Sequence, residues 1–413
     1  MISKAFHASR RKLLMDLMVE GSMAFLFSGY EKQDRGDQTF PFTPESNFYY
    51  MTGFSEPKAI LMMAKVHGRT EETLFIDHPD QESIRWLGVF YTKESVQEDT
   101  GIKSVEYLES FEDSLPMFWR PGIISHLYID IANYEGRFGN LNPAQRFANK
   151  VREYDQTIVM HNVCNDIGQM RHIKEPEEIC LHRKAAEITA AGVDSILKHL
   201  HPEMRECESE AYFDFVLKTN NTIAAYPTIA ASGINACSMH YTKNDRLMHD
   251  GDMILYDLGA QWNYYAADVS RTFPVNGSFT DHQAQIYEIV LDALKIMTSK
   301  TRPGLTMQEV QKFGMDATAE ELEKAGIISS PSEVGSCYFN GCHYVGLNVH
   351  DVGDYFTKMK PGMVITLEPM IYFDDQELGI RIEDTILITD DGCEVLTGMI
   401  PKEIQEIEKA MKH

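Results

Sequence analysis

Asp257 and Asp268 lie in an apolar segment, ILYDLGAQWNYYAADVSRTF. Aromatic and β-branched residues on both sides of a turn between Trp262 and Asn263 predict an antiparallel hairpin. The two aspartates are equally far from that turn, so we predict that they lie opposite each other on one face of the sheet. Two carboxylates held this close in apolar surroundings repel each other and lose hydration, so they require a cation or a shared proton. An ordinary exposed pair at a strand edge is the alternative.

Glu368 and Glu383 form a second acidic pair with the same pattern. In VITLEPMIYFDDQELGIRIEDTILIT they are symmetrical about a turn at Asp375 and Gln376, so they are also predicted to face each other across a hairpin. This repetition favours a functional site over an ordinary exposed pair.

Two histidines, His343 and His350, lie between the hairpins in GCHYVGLNVHDVG. Their odd spacing places them on opposite faces of a regular strand, so both reach one site only if the chain bends or bulges at Gly346. If the hairpins converge, four carboxylates and one imidazole form a single cluster. Their four negative charges match two divalent cations, which predicts a dinuclear metal centre.

The ligand types narrow the choice of metal. Carboxylates favour hard cations, and a single imidazole favours borderline ones. We therefore predict Mn(II), with Co(II), Fe(II) and Zn(II) as alternatives. The absence of cysteine from the proposed set argues against a structural zinc site. Two such ions lower the pKa of water enough to provide a nucleophile at neutral pH.

The composition restricts the partners and the compartment. With 413 residues, 43% of them hydrophobic, the chain is long enough for two domains with cores of their own. A net charge of −24 argues against nucleic-acid or anionic-membrane binding by the general surface. Seven scattered cysteines without a CxxC pair predict reduced thiols in a cytoplasmic protein. The first residues have the pattern of an amphipathic helix, not of a signal peptide, and no segment has the length of a membrane span.

Two domains must position these residues, an N-terminal α/β domain predicted at 1–165 and a second domain predicted at 170–413. Strand-like and helical segments alternate in the first, and no GxGxxG motif or phosphate loop indicates a nucleotide site. The boundary is indicated by a polar stretch after Asn142-Pro143 and by KEPE at 174–177, which is typical of a helix start. The aromatic residues Phe48, Tyr49, Tyr50 and Phe54 are predicted to be core residues, with substrate contact as the alternative.

These motifs resemble those of the pita-bread metallopeptidases, the family of methionine aminopeptidase, prolidase and aminopeptidase P. The five metal ligands of that family correspond here to Asp257, Asp268, His343 in HxxGxxxHD, Glu368 in LEP and Glu383 in GIRIEDT. SNFYYMTGFSEP and RTFPVNGSFT resemble aminopeptidase P, whereas methionine aminopeptidases lack a large N-terminal domain. The resemblance implies an α/β protein, with an N-terminal α/β domain followed by a C-terminal pita-bread α+β catalytic domain that has a curved antiparallel sheet.

The resemblance also suggests roles for residues beside the ligands. Glu368 is expected to move a proton from the attacking water to the leaving nitrogen. His240, in NACSMHY, and His350 are expected to stabilise the oxyanion or hold the substrate carbonyl. Arg381 lies on the same strand face as the last ligand, so it either orients that carboxylate or binds substrate. A salt bridge behind the ligands is an equally open alternative. Phe339 departs from the family, in which a histidine is common at this position, so one substrate contact is expected to differ.

The implied function is that of a dinuclear metal-dependent Xaa-Pro aminopeptidase, which hydrolyses the bond between an N-terminal residue and a following proline. Proline has no amide hydrogen on the scissile nitrogen, so a site built around its ring can select this bond. Prolidase, which cleaves Xaa-Pro dipeptides, is the alternative. Non-catalytic pita-bread binding modules and creatinase-like enzymes are further alternatives, but both lack the ligand set.

The family further implies the assembly and the partners. Its members are often homodimers or homotetramers, with the N-terminal domain of one subunit near the site of another. The first domain is therefore expected to serve oligomerisation and substrate access. Proline-containing peptides are the expected partners, and no nucleic acid or membrane is expected.

Overall fold

The computed structural model describes residues 2–88, 91–118, 123–131 and 141–412. The chain forms two compact units, Met1–Met170 and Arg171–His413. Among the helices of the described residues, none combines the length and the apolar character needed to cross a bilayer.

The first unit contains a mixed six-stranded sheet with strand order β4-β3-β2-β1-β5-β6. Its elements, together with the helix that runs into the second unit, are α1 (Lys4–Leu17), β1 (Ser22–Phe27), α2 (Ser46–Thr52), β2 (Ile60–Val66), β3 (Arg69–Ile76), α3 (Gln81–Leu87), α4 (Lys93–Thr100), β4 (Ser104–Tyr107), α5 (Phe111–Phe118), β5 (His126–Ile129), α6 (Pro143–Tyr154), β6 (Val159–Asn162) and α7 (Cys164–His172). The central strands β1 and β5 are almost entirely buried, which explains their nearly continuous apolar sequences.

The aromatic residues of the first unit are core residues. Phe48, Tyr49 and Tyr50 lie on α2 and are buried, which confirms the prediction. The helix ends at Gly53, whose φ of +69° is in the left-handed region, and a Cβ at this position would lie 2.7 Å from the His7 ring. Glycine is therefore required both by the backbone conformation and by the close approach of α1.

The second unit consists of antiparallel strands and helices. Its elements are α8 (Pro176–Leu197), α9 (Glu206–Thr219), β7 (Ile229–Ser232), β8 (Met253–Leu258), β9 (Gln261–Trp262), β10 (Tyr265–Ala266), β11 (Val269–Pro274), α10 (Asp281–Lys300), α11 (Met307–Lys324), β12 (Tyr338–Gly341), β13 (Val364–Phe373), β14 (Leu378–Arg381), β15 (Asp384–Ile388), β16 (Cys393–Val395) and α12 (Ile404–Ala410). One sheet has the order β11-β8-β7, and the other has the order β12-β13-β15-β16 with β14 also paired to β13. Every strand pair described in this unit is antiparallel. Together with the mixed first unit, this confirms the predicted fold class.

One large hydrophobic core supports these sheets. Ile286, Val290 and Leu294, spaced four residues apart on α10, are buried and share a core with Ile365 and Leu367 of β13. This is the behaviour of an amphipathic helix that covers one face of a sheet. This hydrophobic core therefore supports β13, the strand that carries Glu368.

The aspartate hairpin forms, but its predicted register is wrong by two residues. Asp257 lies opposite Ser270, not opposite Asp268. Asn263 and Tyr264 both have positive φ, so they form the two-residue turn and move its centre one position along the chain. Because the resulting shift is an even number of residues, both carboxylates still point to the same face of the sheet.

The glutamate hairpin has the predicted register. β13 pairs with β14 and β15 in one continuous register, with Met370 opposite Arg381 and Leu367 opposite Asp384. The same register places Glu368 opposite Glu383. The turn between the strands is a short 3₁₀ helix, Asp374–Gln376, followed by Glu377 in the left-handed conformation.

Candidate metal centre

A single cavity of about 500 Å³ in the second unit contains the predicted site residues. Its lining includes Asp257, Asp268, His343, Glu368, Glu383, His240, His350 and Arg381. The two hairpins and the histidine segment therefore converge, as the sequence predicts.

His343 is at the centre of the acidic residues. Its Nε2 atom is 3.3 Å from Asp268 Oδ2, 3.7 Å from Glu368 Oε1 and 4.0 Å from Glu383 Oε1. The His343 Nδ1 atom lies 3.1 Å from the Tyr344 carbonyl oxygen. A proton on Nδ1 can be donated to that carbonyl, which leaves Nε2 directed at the carboxylates as a ligand atom.

Arg381 connects the two hairpins. Its Nη2 donates to Asp257 Oδ2 at 2.6 Å, and its Nε donates to Ser270 Oγ at 2.9 Å. The Ser270 hydroxyl in turn donates to Glu383 Oε2 at 2.7 Å. Arg381 therefore forms a salt bridge with Asp257, one of the alternatives that the sequence left open, and reaches Glu383 through Ser270.

Tyr226 is a site residue that the sequence did not reveal. Its hydroxyl oxygen is 2.7 Å from Asp257 Oδ1 and 2.5 Å from Asp268 Oδ1. One hydroxyl proton serves only one of these oxygens at a time, so the other close contact needs a further proton or a cation. A tyrosine in the phrase AAYPT carries no spacing signal that could have predicted this contact.

Gly341 provides the space that Glu368 occupies. The two residues are opposite each other on β12 and β13, and a Cβ at position 341 would lie 2.0 Å from Glu368 Oε1. Any larger residue would displace the carboxylate. The only sequence signal is a glycine at the end of a strand-like run.

The pKa values indicate that the cluster has too little positive charge to balance its carboxylates. Burial raises the pKa of Glu368 to about 7 and, together with the neighbouring carboxylates, raises the pKa of Glu383 well above its usual range. Burial lowers the pKa of His343, but Asp268 and Glu368 outweigh this effect and raise it to about 9. The cluster therefore retains protons at neutral pH unless a cation replaces them.

The donor set fits a divalent cation. Asp268, His343 and Glu383 each offer one ligand atom, and these atoms lie within 4.8 Å of one another. Glu383 Oε1 is buried and has no hydrogen-bond partner among the described residues. A buried carboxylate oxygen without a donor is costly, and a bound cation removes that cost.

The histidines that are not in this donor set lie at the mouth of the cavity. His240 and His350 are exposed, and the His350 ring packs edge-to-face on His343 with centroids 4.4 Å apart. The chain bends between residues 346 and 350, as both histidines require. Phe339, which is 40% exposed, lines the same cavity and packs against Tyr372 with ring centroids 5.8 Å apart.

Comparison with known families agrees with this geometry. Metallopeptidase family M24 matches residues 180–390. The chain belongs to this family. The aminopeptidase P N-terminal domain matches residues 7–123. As a member of family M24, the protein is a metal-dependent hydrolase, and the family implies divalent ions.

The relatives of this M24 chain extend over its full length. The Xaa-Pro aminopeptidase of Haemophilus influenzae is 32% identical over 97% of this chain and 96% of its own. A solved structure from Bacillus anthracis that is assigned to aminopeptidase P is 39% identical, covers 99% and 98% of the two chains and has a TM-score of 0.95. Zinc-substituted Escherichia coli aminopeptidase P with product is 31% identical, covers 99% and 98%, and has a TM-score of 0.90.

These matches confirm the resemblance to aminopeptidase P. Both domain types are present in one chain, which supports a metallo-aminopeptidase. The relatives support Xaa-Pro aminopeptidase more than prolidase.

Proposed function

We propose that this M24 chain is a dinuclear Xaa-Pro aminopeptidase whose two divalent ions are held by Asp257, Asp268, His343, Glu368 and Glu383. One observation carries the proposal. Three carboxylate oxygens surround His343 Nε2 within 4.0 Å, and among the described residues Arg381, on Asp257, is the one Lys or Arg side chain that forms a salt bridge with the cluster. The names of the relatives support the bond that is cleaved.

The ions, when bound, would lower the pKa of water and polarise the scissile carbonyl. The residues of the chain then have separate tasks. Glu368 moves a proton from the attacking water to the proline nitrogen. His240 and His350, exposed at the mouth of the cavity, hold the substrate carbonyl and donate to the developing oxyanion. Arg381 keeps Asp257 in place, and its other hydrogen bonds go to Ser270, Tyr372 and the Met239 carbonyl.

We propose Mn(II) as the native metal because the set combines four carboxylates with one imidazole. Co(II), Fe(II) and Zn(II) remain alternatives that metal analysis separates. The related Escherichia coli enzyme has been prepared in a zinc-substituted form, which is consistent with a site of borderline character.

We further propose a cytoplasmic homodimer or homotetramer in which the first unit serves oligomerisation and access to the site. None of the seven cysteines forms a disulfide bond, which is consistent with a reducing compartment. Sedimentation or light scattering of the purified protein tests the oligomeric state. Proline-containing peptides are the proposed partners, and nucleic acids and membranes are not.

The decisive experiment compares three peptides of the forms Xaa-Pro-Yaa, Xaa-Pro and Xaa-Ala-Yaa, with and without a chelator and added Mn(II). We expect cleavage of the first, little cleavage of the others, loss of activity with chelator and recovery with Mn(II). Preferred cleavage of the dipeptide would indicate a prolidase. A protein without bound metal and without activity would indicate a binding module. Glu377→Gln, at the exposed tip of the glutamate hairpin, is the matched control for substitutions of the ligands.

A further inference from the structure

Glu206 is a buried carboxylate outside the metal cluster. It is the first residue of α9 and is completely buried. Its Oε1 accepts hydrogen bonds from Ser232 N at 2.7 Å, Ser232 Oγ at 2.7 Å and Asn235 Nδ2 at 3.1 Å. Its Oε2 accepts from Tyr241 OH at 2.8 Å and from Arg246 N at 2.9 Å. All five donors belong to residues 232–246, the segment that carries His240.

This segment has little regular structure of its own. Beyond the last residue of β7 and a short 3₁₀ helix, Gly233–Cys237, it consists of turns and irregular backbone. His240 therefore lacks the ladder of backbone hydrogen bonds that holds Asp257 or Glu368. Its position depends on side chains that fix the segment from outside.

The residues on both sides of His240 are fixed in this way. The Met239 carbonyl accepts from Arg381 Nη1 at 3.5 Å, and the Tyr241 hydroxyl donates to Glu206. His240 itself is exposed and lines the cavity. The two flanking contacts limit where the imidazole can lie.

A carboxylate suits this task better than a neutral side chain. Hydrogen bonds to an ionised acceptor are roughly twice as strong as neutral ones, and a buried carboxylate is stable only while its donors stay in place. A glutamine would turn an amide group toward one set of donors, and the Arg246 N–H or the Ser232 N–H would then lose its acceptor. The ionised Glu206 carboxylate therefore favours the one arrangement of residues 232–246 in which all five donors reach it.

We propose that Glu206 is a positioning residue for His240. It acts through Ser232, Asn235, Tyr241 and the Arg246 backbone to hold the imidazole at the substrate site. The inference rests on the proposed function of His240. It does not depend on the metal ligands, because Glu206 contacts none of them through the hydrogen bonds above.

The test is a double-mutant cycle of Glu206→Gln and His240→Ala, measured as kcat and KM with an Xaa-Pro-Yaa peptide and a full complement of metal. We expect each single variant to lower kcat/KM by about tenfold or more, because displacement of a catalytic group by about 1 Å costs up to about a hundredfold. The double variant should be no slower than His240→Ala alone, since the two act as one unit. Bound metal should be unchanged in all three.

Two further variants make the result specific. Glu208→Gln is the matched control, because this exposed residue of α9 accepts a hydrogen bond from the Arg205 backbone N–H in its own helix turn, which a glutamine oxygen can also accept. The variant should have the activity of the unmodified protein. Tyr241→Phe removes one donor to Glu206 without changing a buried charge, so it provides the same cycle if Glu206→Gln does not fold.

Two different results would contradict the proposed role of Glu206. Losses that multiply in the double variant would show that Glu206 serves only the fold and would overturn the proposal. A His240→Ala variant with unchanged kcat/KM would overturn both the role of His240 and this inference, while metal-dependent cleavage of the peptide would still support the proposed function.

Discussion

Glu383 and Asp384 are adjacent and buried, yet their surroundings have opposite electrostatic character. Arg271 Nη2 donates to Asp384 Oδ1 at 2.7 Å, Thr397 donates to the same oxygen at 2.9 Å, and Lys402 contacts Oδ2. Burial raises the pKa of Asp384, but Arg271 and Lys402 outweigh it and lower the pKa to about 2. For Glu383, burial and the neighbouring carboxylates raise the pKa well above its usual range, and the opposing charge of Arg381 does not outweigh them.

The comparison contrasts two ways in which the fold surrounds a buried carboxylate. Asp384 is neutralised by cations of the chain, as Asp351 is by Arg171 and Lys174. Around Glu383 and Glu368 the negative charge is left in excess, and an ion from solution could balance it. Asp384 is the first residue of β15 and Glu383 immediately precedes it, so the two environments lie on adjacent residues.

The largest expected effect comes from Glu368→Gln. It removes one unbalanced carboxylate and the proposed proton carrier, so kcat should fall by about 10²–10⁴-fold. The fold should remain, because glutamine has nearly the same shape and Asp268 still lies 3.3 Å from His343 Nε2. Peptide cleavage at saturating metal measures the loss, with Glu377→Gln as the control. A variant that retains activity within a few-fold would remove Glu368 from the mechanism.

The next prediction compares the adjacent residues directly. Asp384→Asn leaves Arg271 and Lys402 without their carboxylate and should lower the free energy of unfolding by about 3–5 kcal/mol. Glu383→Gln should be neutral or stabilising in chelated protein, because a carboxylate with a raised pKa opposes folding at neutral pH. Urea unfolding of both variants in chelator measures the difference. Equal destabilisation by the two would contradict the comparison.

The third prediction concerns pH. Without metal, the pKa of His343 is about 9 and that of Glu368 about 7, so protons occupy both groups below pH 7 and metal must displace them. The apparent Kd for Mn(II) should therefore rise as pH falls through 9 and rise more steeply below 7, by about tenfold per pH unit for each proton displaced. Metal titrations between these pH values test it. A Kd that does not change with pH would mean that these groups are not ligands.

The pH dependence of folding should have opposite signs in the two environments. The lowered pKa of Asp384 stabilises the fold above its unfolded pKa, and this stability is lost as pH falls from about 4 to about 2. The raised pKa of Glu368 costs stability in metal-free protein; the cost is complete above about pH 7, declines as pH falls from about 7 toward the ordinary value of 4.5, and is absent below that. Thermal unfolding in chelator should therefore show higher stability at pH 6 than at pH 8.

The smallest effect is expected for an exposed ion pair. Arg183 and Glu394 are each 43% exposed and form a pair in which Nη2 contacts Oε2 at 2.7 Å. Water already solvates both charges, so Arg183→Ala should change the free energy of unfolding by at most about 1 kcal/mol. Urea unfolding beside Asp384→Asn checks it. A loss as large as that of the buried pair would show that burial is not what separates these sites.

The sequence by itself determined much of this protein. The five proposed ligands stand in recognisable phrases, the glutamate hairpin is symmetrical about its turn, and the aromatic residues of α2 follow a core pattern. The phrases are recognised by their resemblance to a known family. The symmetry of the hairpin and the core pattern are local features, so spacing along the chain reveals them. The bend in the histidine segment was also predictable, because residues seven apart lie on opposite faces of a regular strand. His343 and His350 can therefore reach one site only if the chain bends between them.

Only the tertiary structure decided the remaining contacts. The register of the aspartate hairpin depends on Asn263 and Tyr264, whose positive φ values moved the turn. Tyr226 between two aspartates, Arg381 on Asp257 and Glu206 beneath the His240 segment are contacts between residues far apart in sequence. Local spacing carries no information about such contacts, because they arise only when separate strands and loops are brought together by a shared core.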